Sequence, residues 1–452
     1  MNPKITVYIT NFNYGRYVEA AINSVLCQTY QDYELLIIDD GSTDNSMEII
    51  QRFESVENVF IVVQKNKGLN VSNNIALRMA RGKYFIRLDA DDYLDSNCLE
   101  IMVSKMEKES DLALVFPDYY EVDANDEILN QVRRHDFNKD VSLLDQPAHG
   151  ACTMIRTAML KEIGGYDESF NKQDGYDLWL KMIDGNNVSN INLPLFYYRK
   201  HDNSLSADTK SLLQTRAQIK RNRIKEKMSK PISVIAVIPT RGSKMDPRSM
   251  PLRDLGGKFL IDWTIDVALD TNLLDNVIVT TPDKDVLDHI SNKYGDGVVI
   301  VERSEKLARI NTAFELTILN AVEKYEIDYD YPDGIMVLSI DSPFKEKLYI
   351  EKAIYTLQLY KIDAVQSVIV DDGYFFEHDG SGLKPRIRNN LLRLERDLLY
   401  RRAGGIQLYK RATFSVKKSL GSSLGHIMVD QKAAFKLKNE FDWEIAKNLV
   451  QS

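Results

Sequence analysis

The stretch that decides the fold of the first half is Glu34–Asp44, which reads ELLIIDDGSTD. Its first five residues have the pattern of a buried strand, and a polar turn that begins at Asp39-Asp40-Gly41 ends the strand. Three further strand patterns lie around it along the chain: Ile5–Ile9, Val59–Val63 and Tyr84–Leu88. Segments with helical spacing separate these strands: Tyr17–Leu26, Ser46–Phe53 and Leu69–Met79. Strands that alternate with helices predict an α/β domain with a largely parallel, doubly wound sheet.

A second α/β pattern begins at Ile232. Its strand patterns are Val234–Ile238, Asn276–Thr280, Gly297–Val301 and Gly334–Leu338. Each half of the chain therefore starts with a strand and a polar loop, which predicts two fused Rossmann-like domains of the nucleotide-binding type. The predicted organisation is a first domain at residues 1–210, a basic helical linker at residues 211–231 and a second domain at residues 232–452.

The predicted linker is strongly basic. It has one acid, Glu226, against seven cations: Arg216, Lys220, Arg221, Arg223, Lys225, Lys227 and Lys230. A helix with a solvated face is the ordinary interpretation of such a run. Contact with a partner or with the anionic headgroups on the inner face of a membrane is the alternative. The sequence leaves both open, and it is also compatible with a homo-oligomer.

Composition excludes several classes of protein. The 452 residues carry a net charge of -8, which argues against nucleic acid as a partner. The three cysteines, Cys27, Cys98 and Cys152, are widely spaced and form no CxxC, so they indicate reduced thiols. No apolar run approaches the roughly 20 residues that span a bilayer, and the first residues lack the pattern of a signal peptide. We therefore expect a cytoplasmic protein, with a peripheral membrane contact left open by the basic run.

Two acidic clusters follow apolar strands in the first half. They are Asp39-Asp40 and Asp89-Ala90-Asp91-Asp92. Carboxylates crowded at one edge of a sheet repel each other, and each raises the pKa of its neighbours. A divalent cation removes that cost, and Mg²⁺ commonly binds one or two carboxylates together with phosphate oxygens. The residues alone thus predict a site for a metal and a diphosphate.

Several linked motifs resemble family 2 glycosyltransferases over about residues 3–205. In chain order they are Ile9–Tyr14 (ITNFNY), Ser24–Tyr30 (SVLCQTY), Ile38–Asp44 (IDDGSTD), Asn66–Gly68 (NKG), Asn73-Asn74, Ala80–Tyr84 (ARGKY), Asp89–Asp92 (DADD), Gly164–Glu168 (GGYDE), Gln173–Trp179 (QDGYDLW) and Tyr198–His201 (YRKH). The order of the motifs makes the resemblance specific. It implies a GT-A fold and transfer of a sugar from a nucleotide-sugar donor.

The resemblance implies a role for individual residues. Those expected to bind the nucleotide are Thr10, Asn11, Asp39, Asp40 and Asp89, with Asp40 accepting from the N3–H of a uracil-like base. Those expected to hold Mn²⁺ or Mg²⁺ are Asp91, Asp92 and His201. The implied reaction is a metal-dependent inverting transfer from a donor that is UDP-linked. The implied acceptor is a glycan, a lipid-linked oligosaccharide or a protein in surface glycan biosynthesis.

The general base has two candidates. The family pattern has Glu-Asp followed shortly by Asp-Leu-Trp, whereas this chain has Gln173 before Asp174 and one extra residue before Trp179. Asp174 is the favoured base, which would take the proton of the acceptor hydroxyl. Asp177 is its rival, and the sequence does not decide between them.

The loop after the first strand of the second half also has the composition of a phosphate site. Arg241, Ser243 and Lys244 surround Gly242, and such a loop can bind a phosphate through backbone N–H groups and charge. Further motifs resemble acylneuraminate cytidylyltransferases, which activate acidic sugars, over about residues 232–450. They are Leu255–Ile265 (LGGKFLIDWTI), Arg303 with Leu307-Ala308, Ser342-Pro343, Gly404-Gly405 and Glu440–Ala446 (EFDWEIA).

The second half departs from that family at an important place. Lys436 and Lys438 stand where the family carries an Asp-x-Asp metal pair. Either the two lysines replace the charge of the metal or the transfer activity is lost, and Asp341 or Asp430 could instead hold a metal. The alternatives for the whole chain are a bifunctional enzyme, an enzyme that is mainly a CMP-sugar synthetase, and a non-catalytic scaffold.

Overall fold

The computed structural model describes residues 2–132, 150–170, 173–201, 209–227, 232–244, 246–371, 373, 375–385 and 399–451. These residues form two compact units. The described residues up to Arg216 belong to the first unit, and those from Ala217 onward belong to the second. Each unit contains a β-sheet flanked by helices, so the predicted two-domain α/β architecture is confirmed. The predicted boundaries at residues 210 and 231 stay a prediction.

The first unit is organised around one mixed sheet. Its strands are β1 (Ile5–Asn11), β2 (Tyr33–Asp39), β3 (Val59–Val63), β4 (Tyr84–Asp89), β5 (Tyr93–Leu94), β6 (Leu112–Val122), β7 (Ile128–Val132), β8 (Met154–Arg156) and β9 (Asn187–Arg199). Their order is β3-β2-β1-β4-β8-β6-β9-β5, with β7 paired to β6. The strands from β3 to β4 are parallel, whereas β8 runs antiparallel to both of its neighbours. The expected parallel sheet is therefore the first half of a mixed one.

The helices of the first unit connect these strands. They are α1 (Val18–Leu26), α2 (Ser46–Gln51), α3 (Leu69–Met79), α4 (Cys98–Lys108), α5 (Thr157–Glu162), α6 (Asp174–Met182) and α7 (Thr209–Lys227), of which α7 continues into the second unit. The sheet is apolar enough to form a core because β1 and β2 are buried at every residue. Stacking of Tyr8 on Phe85, with ring centroids 4.4 Å apart, joins β1 to β4.

The second unit repeats this plan with a different strand order. Its strands are β10 (Val234–Pro239), β11 (Asn276–Thr281), β12 (Val299–Glu302), β13 (Gly334–Leu338), β14 (Ala364–Asp371), β15 (Phe376–His378), β16 (Leu383–Pro385), β17 (Leu399–Lys410) and β18 (Leu424–Met428). The main sheet has the order β12-β11-β10-β13-β17-β14-β18, and β15 pairs with β16. Strands β10 to β13 are parallel, and β17 is antiparallel to β13 and β14.

The helices of the second unit follow the same alternation. They are α8 (Leu260–Leu269), α9 (Lys284–Tyr294), α10 (Glu305–Ala308), α11 (Phe314–Asp328), α12 (Lys347–Tyr360), α13 (Gln431–Ala434) and α14 (Glu440–Gln451), with a 3-10 turn at Gly295–Gly297. The strands and helices predicted from sequence in both halves are all present, with ends that differ by a residue or two.

The basic run differs from the simple expectation of a solvated helix. It lies mostly on α7, but Lys220 is fully buried, and its Nζ donates a hydrogen bond to Thr356 Oγ1 at 2.8 Å. Ala217, Ile219 and Ile224 of the same helix are buried as well. This part of the run therefore packs into the second unit, and Lys230 lies outside the described residues.

No helix in the described part of the chain is both long enough and apolar enough to cross a membrane.

Candidate functional site

The carboxyl ends of β1, β2 and β4 bring the first predicted site residues together. Strand β1 lies between the other two, so Asn11 is opposite Asp39 on β2 and Thr10 is opposite Asp89 on β4. Ligands of open α/β sheets bind beyond this edge of the sheet. Four of the five predicted nucleotide-binding residues of the first unit therefore meet where the topology predicts a ligand.

The carboxylate of Asp39 binds its own turn and the neighbouring strand β1. Its Oδ1 accepts the backbone N–H groups of Gly41 and Ser42 at 3.1 and 2.9 Å, and its Oδ2 accepts from Asn11 Nδ2 and Ser42 Oγ at 2.8 and 2.6 Å. Two carboxylate oxygens offer about four acceptor positions, and all are taken. In this structure Asp39 holds the turn that leads away from β2, and direct contact with a nucleotide stays a prediction.

Asp40 holds the loop after β3. Its Oδ1 accepts from Gln64 Nε2 at 2.7 Å and from the backbone N–H of Lys67 at 2.9 Å, and its Oδ2 accepts the backbone N–H of Gly68 at 2.8 Å. Gly41 permits this approach because its φ is +81°, and a Cβ there would lie 2.8 Å from the backbone nitrogen of Asn66. One acceptor position of Asp40 is left for the predicted base contact.

In the second acidic cluster Asp91 and Asp92 are buried and Asp89 is partly buried. Burial raises the pKa of Asp89 to about 6 despite the opposing effect of Arg87, and Asp91 adds to the rise. Burial, with Asp91 and Asp89, also raises the pKa of Asp92 well above its usual range. Carboxylates with raised pKa values gain from a nearby cation, because the cation favours their ionised form.

His201 completes this cluster. Its Nε2 lies 3.0 Å from Asp91 Oδ2, and its ring stacks on Tyr17 with centroids 5.7 Å apart. Asp92 is 1% exposed; its Oδ1 accepts the backbone N–H of Arg199 at 2.8 Å, and its Oδ2 finds no hydrogen-bond partner within the described residues. An imidazole, a carboxylate and an orphaned carboxylate oxygen form a donor set that suits Mn²⁺ or Mg²⁺. The chemistry of the predicted metal residues therefore suits a divalent cation. Among the residues described, however, no three His, Cys, Asp or Glu side chains lie close enough together to hold one as they stand.

Arg87 joins Asp174 to the acidic cluster. The Arg87 guanidinium forms an ion pair with Asp174 Oδ2 through Nη1 and another with Asp89 Oδ1 through Nε, the latter at 2.9 Å. Arg87 is 4% exposed, and Asp174 is buried at the start of α6. Sequence reasoning assigned no role to Arg87. The sequence feature that could have revealed its role is the presence of a charged residue within the apolar strand pattern Tyr84–Leu88.

Asp177 lies elsewhere in the contact network. Its Oδ2 pairs with Lys181 Nζ at 2.7 Å, one turn further along α6. The structure therefore connects Asp174, by way of Arg87, to Asp89 of the acidic cluster, and it places Asp177 beside a lysine of its own helix.

We expect Gly150→Ala to slow sugar transfer at least about tenfold. An added Cβ would lie 2.6 Å from Arg87 Nη2 and 3.2 Å from Asp174 Oδ2, and the buried Arg87 has little room to move. Displacing Arg87 would misplace Asp174, and a small misplacement of a catalytic group is costly. Initial transfer rates at saturating donor would measure the effect.

The control for that variant is Gly297→Ala, because a Cβ there meets nothing within 4 Å. UDP affinity and the melting temperature should stay close to wild type in both variants. A Gly150→Ala enzyme as fast as the control would show that the Arg87–Asp174 geometry does not limit the reaction.

The second unit contains a cavity of about 1060 Å³ at the carboxyl ends of β10 and β13. Its lining has three acidic residues, Asp246, Glu315 and Asp341. It also has seven basic residues: Arg241, Arg248, Arg303, Arg401, Arg402, Lys436 and Lys438. This excess of positive charge contrasts with the net charge of -8 for the whole chain, and it is typical of a site for an anion.

The predicted phosphate loop only partly reaches this cavity. Arg241 lines it, and its Nη1 pairs with Asp246 Oδ2 at 3.3 Å. Lys244 is exposed and pairs with Asp285 at 2.9 Å, which raises the pKa of Lys244. Ser243 is also exposed, and neither it nor Lys244 lines the cavity. Sequence reasoning gave no role to Arg248, Arg401 or Arg402, which no recognised motif contains.

Each half of the chain matches the model of a known protein family. The model of Glycosyl transferase family 2 matches residues 6–164, and that of Cytidylyltransferase matches residues 235–412. Chondroitin synthase from Escherichia coli is 28% identical over 191 residues, which are 42% of this chain and 28% of that protein. The UDP-Glc:α-D-GlcNAc-diphosphoundecaprenol β-1,3-glucosyltransferase WfgD of Escherichia coli is 29% identical over 209 residues, which are 45% of this chain and 80% of that protein.

Among solved structures, Staphylococcus aureus TarS 1–349 in complex with UDP-GlcNAc superposes with a TM-score of 0.42 and 20% identity, covering 48% of this chain and 67% of that one. The chain spans little more than a quarter of the length of the chondroitin synthase that it matches. The two family matches lie in the two separate units and agree with the motifs found in each half. The chain therefore joins a family 2 glycosyltransferase domain to a cytidylyltransferase domain.

Proposed function

We propose that the first unit transfers a sugar from a UDP-linked donor to a hydroxyl of a glycan, a lipid-linked oligosaccharide or a protein. The observation that carries the proposal is that both ends of the acidic cluster are engaged, since His201 contacts Asp91 and Arg87 pairs with Asp89 and with Asp174. These contacts support Asp174 as the base and the acidic cluster as the site of a metal and a diphosphate. The names of the similar proteins, which include polysaccharide synthases and a UDP-glucose-dependent glucosyltransferase, support the same reaction class.

The chemistry of the site follows from its charges. Asp174 would accept the proton of the acceptor hydroxyl as that oxygen bonds to the anomeric carbon. The bond from that carbon to the diphosphate would break on the opposite face, so the configuration inverts. A bound Mn²⁺ or Mg²⁺ would supply positive charge for the departing diphosphate. Arg87 keeps Asp174 oriented through their ion pair, because a guanidinium stays charged and binds a carboxylate in a fixed geometry.

We propose that the second unit binds a nucleotide of the kind used by enzymes that activate acidic sugars. Its family match and its basic cavity support this assignment. The unit then serves as a partner domain for the transferase, and a second activity as a nucleotidyltransferase is the other candidate function.

Calorimetry on the full chain tests the function of the first unit. We expect UDP to bind in Mn²⁺ and to bind at least about tenfold more weakly in EDTA, because the buried carboxylates repel the diphosphate when no cation is present. GDP and ADP should bind more weakly than UDP. A chain that binds UDP equally well with and without a divalent ion, or that shows no preference for UDP, would contradict the proposal.

A further inference from the structure

The basic cavity of the second unit is only partly neutralised by its own acids. Asp246 is shared, since it pairs with Arg241 at 3.3 Å and with Arg248 at 3.1 Å. Arg401 pairs with Asp371 at 2.8 Å. One carboxylate thus serves two guanidinium groups, and the seven basic residues that line the cavity outnumber its acids by four.

Arg303 shows the imbalance most directly. It is 5% exposed, its Nη2 donates to the carbonyl of Thr240 at 2.7 Å, and its Nε has no hydrogen-bond partner among the described residues. Burial and the nearby Arg241 lower the pKa of Arg303 to about 10. A buried cation without a carboxylate is destabilising, and two adjacent guanidinium groups suit the oxygens of a phosphate.

Lys436 and Lys438 bring further positive charge to the same cavity. They lie on the segment between α13 and α14, with the buried Leu437 between them. The backbone N–H of Leu437 donates to the carbonyl of Asp341 at 2.8 Å, and that of Lys438 donates to Asp442 Oδ2 at 2.8 Å. The segment is therefore fixed by its backbone, and both lysines line the cavity.

The cavity does not suit a divalent cation. Asp246 is occupied by two arginines, and Lys436 Nζ lies 3.8 Å from Asp341 Oδ2. Asp430 is also engaged, because it accepts from Tyr349 Oη and caps α13 through the N–H of Ala433. Mg²⁺ requires carboxylate oxygens, whereas an ammonium group repels it. At the position of Lys436 and Lys438, the metal that the cytidylyltransferase family uses therefore does not fit.

We propose that this cavity binds the phosphates of a nucleotide without a divalent cation, with Lys436 and Lys438 supplying the positive charge. This deepens the function proposed above, because it rests on the second unit being a nucleotide-binding domain. Fixed ammonium groups neutralise a polyphosphate as a cation would, but they stay with the protein. The nucleotide is then held as a ligand, without the metal charge that would assist transfer of its nucleotidyl group to a sugar with release of diphosphate.

Calorimetry with CTP and CMP tests this on the full chain, in EDTA and in Mg²⁺. The titrations are made in an Asp91→Asn background, which weakens nucleotide binding in the first unit. We expect the two Kd values for CTP to agree within about threefold. Lys436→Ala combined with Lys438→Ala should weaken CTP binding at least about tenfold, since each removes a charged contact. The matched control is Lys284→Ala with Lys324→Ala, which removes the same charge from exposed positions outside the cavity.

A second double variant reverses the charge. Lys436→Asp with Lys438→Asp should abolish CTP binding in EDTA and restore part of it in Mg²⁺. CTP binding that requires Mg²⁺ in the unmodified cavity would overturn the inference while leaving the second unit a nucleotide-binding domain. An unchanged Kd for CTP after removal of both lysines would overturn the inference in the same way. Absence of CTP and CMP binding under every condition would instead overturn the proposed function of the second unit.

Discussion

Asp91→Asn is expected to lower the rate of sugar transfer by at least about 100-fold and to remove the Mn²⁺ dependence of UDP binding. Asp91 carries the carboxylate that contacts His201, at 3.0 Å, in the cluster suited to a metal. Asparagine keeps the size of the side chain but loses its charge, so the site would hold a divalent ion and the diphosphate less tightly. Metal-based charge stabilisation contributes several kcal/mol to such reactions, and about 1.4 kcal/mol corresponds to tenfold in rate.

The measurement is the initial rate of UDP release with acceptor present, together with UDP titrations in Mn²⁺ and in EDTA. Asp111→Asn is the matched control, because Asp111 is exposed directly before β6 and its Oδ2 accepts a hydrogen bond from Asn187 Nδ2 at 2.6 Å, far from the acidic cluster in the chain. That control should keep the wild-type rate. Full activity in Asp91→Asn would rule out the acidic cluster as the metal and diphosphate site, and with it the main proposal for the first unit.

The strands and their polar ends could be predicted because they depend on local sequence. Apolar runs such as Glu34–Ile38 end at acidic turns, and the alternation with helices places those turns at one edge of a sheet. The position of the acidic clusters and of His201 therefore followed from the motifs. The fold class was confirmed for both units for the same reason.

The partners of the charged side chains could not be predicted, because they depend on contacts between distant residues. Arg87 meets Asp174 across 87 positions of sequence, and Lys220 meets Thr356 across 136. No local pattern shows that the acceptor positions of Asp39 are filled by Gly41, Ser42 and the distant Asn11. Likewise, Lys244 pairs with Asp285, which lies on α9, 41 positions further along the chain.

Asp174→Asn is expected to lower the turnover number by about 10³, while UDP affinity in Mn²⁺ changes less than about threefold. General base catalysis contributes about 10²- to 10⁴-fold, and an amide cannot accept the proton of the acceptor. Arg87 keeps its ion pair with Asp89 in this variant, so the donor site should stay intact. The comparison that decides the base is Asp177→Asn, which has the same chemical change on the same helix.

Asp177→Asn should keep most of the activity. Its carboxylate pairs with Lys181 within α6, and the amide oxygen of asparagine can still accept a hydrogen bond from that Nζ. A turnover number that falls about 10³-fold in Asp177→Asn but stays high in Asp174→Asn would reverse the assignment of the base. Equal large losses with unchanged UDP affinity would show that both carboxylates are needed for the chemical step. The expected result is a loss confined to Asp174→Asn. It would identify Asp174, which Arg87 joins to the acidic cluster, as the base.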